Sequence, residues 1–149
     1  MKSSFFIRDL PAPFLALPKK DQAFHICLAG RTVCNDWSLI QSLKSQHQVT
    51  IVERIRLLSR NSILETADVL VLDCGASHGL GLRIVPFLKK YHPRLCVVLV
   101  DGGLTQRQIA AAFREGARDY FTAPYNLKLL VERIQTLGVQ ARYKFLENP

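Results

Sequence analysis

Hydrophobic residues in this chain are concentrated in five short runs that are separated by amphipathic stretches. Their apolar residues are continuous instead of alternating with polar ones, which is typical of strands in a parallel sheet covered on both faces. The pattern therefore predicts five buried β-strands. The runs are FHICLAG (24–30), QVTIV (48–52), ADVLVLDCG (67–75), RLCVVLVDGG (94–103) and RDYFTAP (118–124).

The stretches between the runs have the residue spacing of helices. Residues 35–46 place Trp37, Ile40 and Leu43 on one stripe, and the Asn-Asp pair at the start can act as the N-cap. Further helices are predicted at residues 54–65 (weak and short), 80–93 (containing Pro86), 105–117 and 126–138.

Caps define the limits of the last two predicted helices. Thr105 and Asn126 are suitable N-cap residues, and Gly116 and Gly138 are suitable terminators. Strand and helix then alternate five times, which predicts an α/β fold with a doubly wound, five-stranded parallel sheet flanked by helices. In such folds, sites form beyond the carboxyl ends of the strands.

Three segments are expected along the chain. Residues 1–22 contain three prolines and predict an extended lead-in, whose apolar residues pack on this domain or on a partner. Residues 23–138 form the domain. Residues 139–149 either extend the last helix or begin a linker.

Composition narrows the class of protein. The 149 residues are 48% hydrophobic, which is enough for a core, but no apolar run is long enough to span a bilayer. We therefore expect a cytoplasmic domain. Its four cysteines (Cys27, Cys34, Cys74 and Cys96) lack metal-finger spacing and predict buried free thiols.

The net charge of +8 has two interpretations. It could indicate an acidic partner such as nucleic acid, or a solvated basic surface. Because the basic residues are scattered and no DNA-reading helix stands out, we expect no specific nucleic-acid binding by this domain.

Aspartates end two of the predicted strands, and the surrounding segments resemble those of a known family. VLVLDCG contains Asp73, VVLVDGG contains Asp101, and EGARDYFTAPYNLKLLVERI contains Ala123. Together these segments resemble the response-regulator receiver (CheY-like) domain of bacterial two-component signalling. The resemblance implies a flavodoxin-like sheet with strand order 2-1-3-4-5.

A working receiver needs four chemical groups. It needs an acidic pair to hold Mg²⁺, an aspartate nucleophile, a hydroxyl donor for the phosphoryl group, and a lysine that neutralises developing charge. The resemblance implies that Asp73 is the phosphoacceptor, but Asp101 replaces the hydroxyl and Ala123 replaces the lysine. The acidic pair is also missing, because residues 28–31 are LAGR.

These substitutions predict a degenerate phosphoacceptor pocket made of Asp73, Asp101, Ala123 and Arg31. Mg²⁺ would lack ligands, and an aspartyl phosphate would face the Asp101 anion. Asp73 could pair with Arg31 instead. His78 could approach Asp73, but we predict no catalytic residue, metal or cofactor.

A receiver fold without this chemistry still has an interaction surface. In the family, the fourth helix, fifth strand and fifth helix mediate dimerisation or output contacts, and Tyr120 matches the aromatic switch position. Alternating charges there could form reciprocal ion pairs across a two-fold axis, or be ordinary surface charges. The interaction face comprises Arg107, Ala111, Arg114, Arg118, Asp119, Tyr120, Tyr125 and Lys128.

Two functional hypotheses remain. One is a phosphorylation-independent pseudo-receiver that regulates transcription through protein contacts, similar to the amino-terminal domains of some enhancer-binding activators. In those proteins an ATPase and a DNA-binding domain follow, which requires that the natural chain continue beyond Pro149. The alternative is a switch with unconventional Asp73 phosphorylation, or one that binds a small anionic ligand through Arg31.

Overall fold

Five parallel strands form a single sheet in the order β2-β1-β3-β4-β5, as the resemblance implies. The computed structural model describes residues 23–60, 62–75 and 80–147, so the predicted lead-in and His78 lie outside the described residues. The strands are β1 (His25–Ala29), β2 (Gln48–Val52), β3 (Val69–Asp73), β4 (Cys96–Asp101) and β5 (Asp119–Thr122).

Helices cover both faces of this sheet. Residues 54–65 form two short 3₁₀ helices, Ile55–Arg60 and Ser62–Glu65, instead of the short helix expected there. The α-helices are α1 (Arg31–Cys34), α2 (Trp37–Lys44), α3 (Leu80–Tyr91), α4 (Gln106–Arg114) and α5 (Leu127–Glu147).

Side chains from each strand alternate between two hydrophobic clusters. In β1, Ile26 and Leu28 pack with α2 and α5, whereas Cys27 and Ala29 pack with α3 and the 3₁₀ helices. Both faces are therefore buried, which explains why the central strands are continuous apolar runs. All four cysteines are free and buried, as predicted.

The predicted caps are present. Thr105 and Gln108 form a capping box at α4, and Asn126 accepts a hydrogen bond from the Leu129 N–H at α5. Asp36 caps α2 by accepting a hydrogen bond from the Leu39 N–H. Trp37, however, is 69% exposed, so its assignment to the core stripe was wrong. It occupies the first position of α2, where its side chain lies outside the buried face.

Gly138 does not end helix α5 as predicted, and of the two alternatives for the following residues the extension of the helix is the one observed. The helix continues to Glu147, and Ala141 is part of the core. Arg142 lies 3.1 Å from Asp68 (Nε to Oδ1), close to the start of β3, although the N–H is not aligned as a hydrogen bond. Residues 139–147 are therefore part of the helix that packs on the sheet. No helix within the described part of the chain has the length and hydrophobicity to span a bilayer.

Gly138 has a packing role. A Cβ atom built on it would lie 2.5 Å from Cδ2 of the Phe24 ring, which is closer than van der Waals contact permits. The Phe24 ring is itself held by stacking on His47, with ring centroids 5.0 Å apart. Glycine thus permits the close approach of α5 to the start of β1.

We expect Gly138→Ala to destabilise the fold by about 1–3 kcal/mol, because overpacking against Phe24 outweighs the better helix propensity of alanine. Chemical denaturation measures this change. Gly103→Ala is the matched control, since its Cβ would meet Asp101 Oδ1 at an ordinary 3.9 Å. Stabilisation by Gly138→Ala would contradict the packing role.

Candidate functional site

The candidate site lies at the carboxyl edge of the sheet, where β1 and β3 are neighbours although they are not consecutive along the chain. This is the switch point at which α/β folds place ligands. Asp73 ends β3, Asp101 ends β4, and Ala123 follows the end of β5. The strand pattern therefore brings these three predicted residues to the same edge.

The carboxylate of Asp73 is engaged by the protein backbone. Its side chain is buried, with only 3% of the residue exposed. Oδ2 accepts a hydrogen bond from the Thr32 N–H at 2.8 Å, and Oδ1 accepts one from the Gly75 N–H at 3.1 Å. Both oxygens thus have donors within the chain, as a buried carboxylate requires.

Gly30 makes this arrangement possible. Its φ angle is +99°, a conformation that side chains other than glycine rarely adopt. A Cβ atom at this position would also lie 2.5 Å from the Asp73 Cβ. The turn after β1 therefore passes directly over Asp73 and brings the Thr32 N–H to its carboxylate.

The region of the expected acidic pair contains no carboxylate. Leu28 and Ala29 are buried in the two core clusters, and Arg31 is exposed. Within the described part of the chain, Arg31 forms no salt bridge with Asp73. The backbone N–H of Thr32, and not the predicted Arg31 side chain, therefore contacts the Asp73 carboxylate.

Asp101 faces the same loop as Asp73. Its oxygens lie 3.2 and 3.3 Å from the position that a Cβ atom on Gly75 would take. Burial raises the pKa of the Cys74 thiol to about 12, and the negative charges of Asp101 and Asp73 contribute to the shift. The site therefore concentrates negative charge around a thiol that stays protonated.

Asp101 is also fixed by the neighbouring strand. Its Oδ1 accepts a hydrogen bond from the Gly103 N–H at 2.7 Å. Its backbone oxygen accepts hydrogen bonds from the Ala123 N–H and from the Tyr120 hydroxyl, both at 2.9 Å. Tyr120, at the predicted switch position, thus points toward the end of β4.

Tyr125 connects the loop after β5 to the start of α2. Its hydroxyl donates a short hydrogen bond to Oδ2 of Asp36, while Oδ1 of Asp36 caps α2. Burial raises the pKa of Tyr125, and the hydrogen bond and negative charge of Asp36 raise it further, with a smaller effect of Asp73. Ala123 and Tyr125 both pack against the hydrophobic cluster that contains α2 and α5.

Other residues of the predicted interaction face have different environments. Arg107, Arg114 and Lys128 are exposed. Asp119 forms a salt bridge with Arg133 of the same chain, with 2.7 Å between Oδ2 and Nε. The Nη2 of Arg118 donates to Gln140 Oε1 at 2.8 Å, and Ala111 is half-buried.

A metal site would need several ligand side chains that converge on one point. Among residues 23–60, 62–75 and 80–147, no group of three or more His, Cys, Asp or Glu side chains is placed to hold one. The two aspartates are the acidic groups that the strand ends bring together here.

Solved structures share this architecture. A CheY-like response-regulator receiver domain from Methanospirillum hungatei JF-1 matches with a TM-score of 0.71 and 17% identity, over 83% of this chain and 99% of that one. The beryllofluoride-activated NtrC4 receiver domain dimer matches with a TM-score of 0.69 and 18% identity, over 78% and 98% of the two chains.

The chain has the fold of a response-regulator receiver domain. This receiver fold also matches NtrX from Brucella abortus, solved in complex with ADP, with a TM-score of 0.67 and 21% identity. The match covers 83% of this chain but only 28% of NtrX, so the chain spans just over a quarter of that protein. No protein-family model matches the chain, and no curated protein matches it by sequence.

Several residues of this candidate site were not predicted from the sequence. Thr32 and Gly75 act through backbone N–H groups, which leave no side-chain signature. Gly30 was part of the LAGR segment but carried no predicted role. Asp36 was expected only as a cap, and Tyr125 only as a surface residue, because their contact joins positions far apart along the chain.

We expect Tyr125→Phe to cost about 1–2 kcal/mol of stability, since it removes a hydrogen bond to a charged group and keeps the ring. Asp36→Ala should cost about 1 kcal/mol more, because it also removes the cap of α2. Urea denaturation of the single and double variants measures the coupling between the two side chains. Tyr91→Phe, whose ring is 58% exposed, is the control and should be near neutral. Additive effects of the Tyr125 and Asp36 changes would contradict the bridge.

Proposed function

We propose that this chain is a phosphorylation-independent receiver-like module of signal transduction, acting in transcriptional control through protein contacts. The observation that carries the proposal is the state of Asp73. Its two oxygens already accept backbone hydrogen bonds, and its side chain is buried. A hydrogen bond to each oxygen lowers the nucleophilicity of the carboxylate, and its burial restricts the approach of a phosphodonor.

The neighbouring residues support the same proposal. A phosphoryl group on Asp73 would add negative charge close to Asp101, while Ala123 supplies no cation to offset it. The close approach of Gly30 to Asp73 also leaves no room for a carboxylate-bearing residue at that position. Each of these features disfavours phosphoryl transfer independently of the others.

We expect no phosphorylation when the full chain is incubated with acetyl phosphate and Mg²⁺, because the site lacks the groups that bind the metal and stabilise the transferred phosphoryl group. Intact-mass spectrometry detects the gain of one phosphoryl group. A phosphorylatable receiver domain serves as the positive control.

A stable mass gain that disappears in Asp73→Asn would overturn the proposal and favour unconventional phosphorylation. Thermal stabilisation by phosphate that is lost in Arg31→Gln would instead favour the sensing of a small anion. Both outcomes would leave the fold assignment unchanged.

We further propose that contacts are made through the surface formed by α4, β5 and α5, here called the α4-β5-α5 face. Strand β5 is at the edge of the sheet, and edge strands leave backbone groups available for contacts. Leu129 is 54% exposed and lies one helical turn before Arg133, which forms a salt bridge with Asp119 of β5. The solved NtrC4 receiver domain is a dimer, and a two-fold pairing of this face would cover Leu129 in both copies.

If the chain forms a homodimer through this face, Leu129→Glu should shift it to a monomer, because two buried, unpaired carboxylates would oppose association. Sedimentation velocity over a concentration series measures the shift. Leu57→Glu is the matched control, since Leu57 is similarly exposed but follows β2 at the opposite edge of the sheet. A dimer that survives Leu129→Glu would refute pairing through this face.

A further inference from the structure

A groove lies on the face of the sheet opposite the hydrogen bond between Tyr125 and Asp36. The apolar and basic residues that line it have no role in the candidate site. The groove lies between α3 and the 3₁₀ helix Ile55–Arg60, and its volume is about 630 Å³. This 3₁₀ helix follows β2, whereas the α4-β5-α5 face lies at the other edge of the sheet. The groove is therefore separate from the surface proposed for dimerisation.

The floor of the groove is apolar. Leu80, Ile84 and Phe87 line it from α3, with the spacing of a single helical face. Tyr91 continues the same face, and its ring centroid lies 4.7 Å from that of Phe87. Leu57 lines the other wall and is 49% exposed. Ile84 is buried and Leu80 and Phe87 are half-buried, so Leu57 and Tyr91 contribute most of the exposed apolar surface. Exposed apolar side chains grouped in this way commonly mark a contact surface.

The rim of the groove is basic. Arg56 lies on one wall and Arg83 on the other, and both are exposed. Lys90 extends this side, with its Nζ 5.3 Å from the centroid of the Tyr91 ring. Among the described residues, those that line the groove include no acidic side chain. An apolar floor between cations complements a segment that is apolar on one side and acidic on its flanks.

We propose that this groove docks an acidic amphipathic helix of a partner protein. Helix α3 spans twelve residues, or about 17 Å, which corresponds to about three turns of a partner helix lying alongside it. Leucine or phenylalanine anchors would contact Phe87 and Leu57. Glutamate or aspartate residues on the flanks would lie beside Arg56 and Arg83.

Charge disfavours the two alternative occupants that the chain itself offers. Residues 1–22 contain apolar side chains, but their four Lys and Arg residues outnumber their two Asp residues. A second copy of the chain carries a net charge of +8. Either occupant would bring positive charge to a basic rim and be repelled by it. An acidic partner would be attracted instead.

The test uses the full chain and two fluorescein-labelled peptides of about three helical turns. Both have leucines at positions i, i+3, i+4 and i+7, with glutamates on the flanks of one and lysines on those of the other. Fluorescence anisotropy should show saturable binding of the acidic peptide and none of the basic one. Raising the salt concentration should weaken that binding.

Variants then locate the bound peptide. The double variant Arg56→Glu/Arg83→Glu should weaken binding by about tenfold, the effect of losing two exposed ion pairs. Leu57→Ser should also weaken it, whereas Arg107→Glu and Leu129→Glu on the α4-β5-α5 face should not. Circular dichroism and thermal melting confirm that these surface variants are folded.

Three results would overturn the proposal. The first is equal binding of the acidic peptide by the native chain and the Arg56→Glu/Arg83→Glu variant, or no binding at all. The second is tighter binding by Phe5→Ser/Phe6→Ser, which would mean that residues 1–22 cover the groove. The third is a dimer that dissociates in Leu57→Ser but not in Leu129→Glu, which would identify a second copy as the occupant.

Discussion

The contact between Asp73 and the backbone turn above it determines the structure of the carboxyl edge. Gly30 allows the chain leaving β1 to cross over Asp73, and the Thr32 N–H then reaches its carboxylate. Because a buried carboxylate needs hydrogen-bond donors, this crossing and the Gly75 N–H together make burial of Asp73 possible. The Gly30 turn also determines where α1 begins, and α1 leads directly to Asp36.

From Asp36 the same constraint extends along this face of the sheet to the loop after β5. Asp36 caps α2 with one oxygen and accepts the Tyr125 hydroxyl with the other. Tyr120 and the Ala123 N–H fix the end of β4 in the same region. Hydrogen bonds thus connect the ends of β1, β3, β4 and β5. The polar groups at this carboxyl edge are therefore bonded to one another.

The sequence was most informative where structure depends on local patterns. Continuous apolar runs located the five strands, and Thr105 and Asn126 marked helix starts correctly. Contacts between distant segments could not be predicted. Gly138 was predicted to end a helix, whereas in the structure it allows a close approach to Phe24. The sequence does not show which neighbour a glycine accommodates. For the same reason, Asp73 was located at its strand end but its backbone donors were not.

The geometry of Gly30 restricts which substitutions the carboxyl edge can accept. A serine at 101 or a lysine at 123 would change side chains alone. An aspartate at 30, by contrast, would have to occupy a left-handed backbone conformation and collide with Asp73. Side-chain replacement alone therefore cannot place a carboxylate at position 30, and anyone engineering a metal site at this edge would first have to redesign the backbone of the turn.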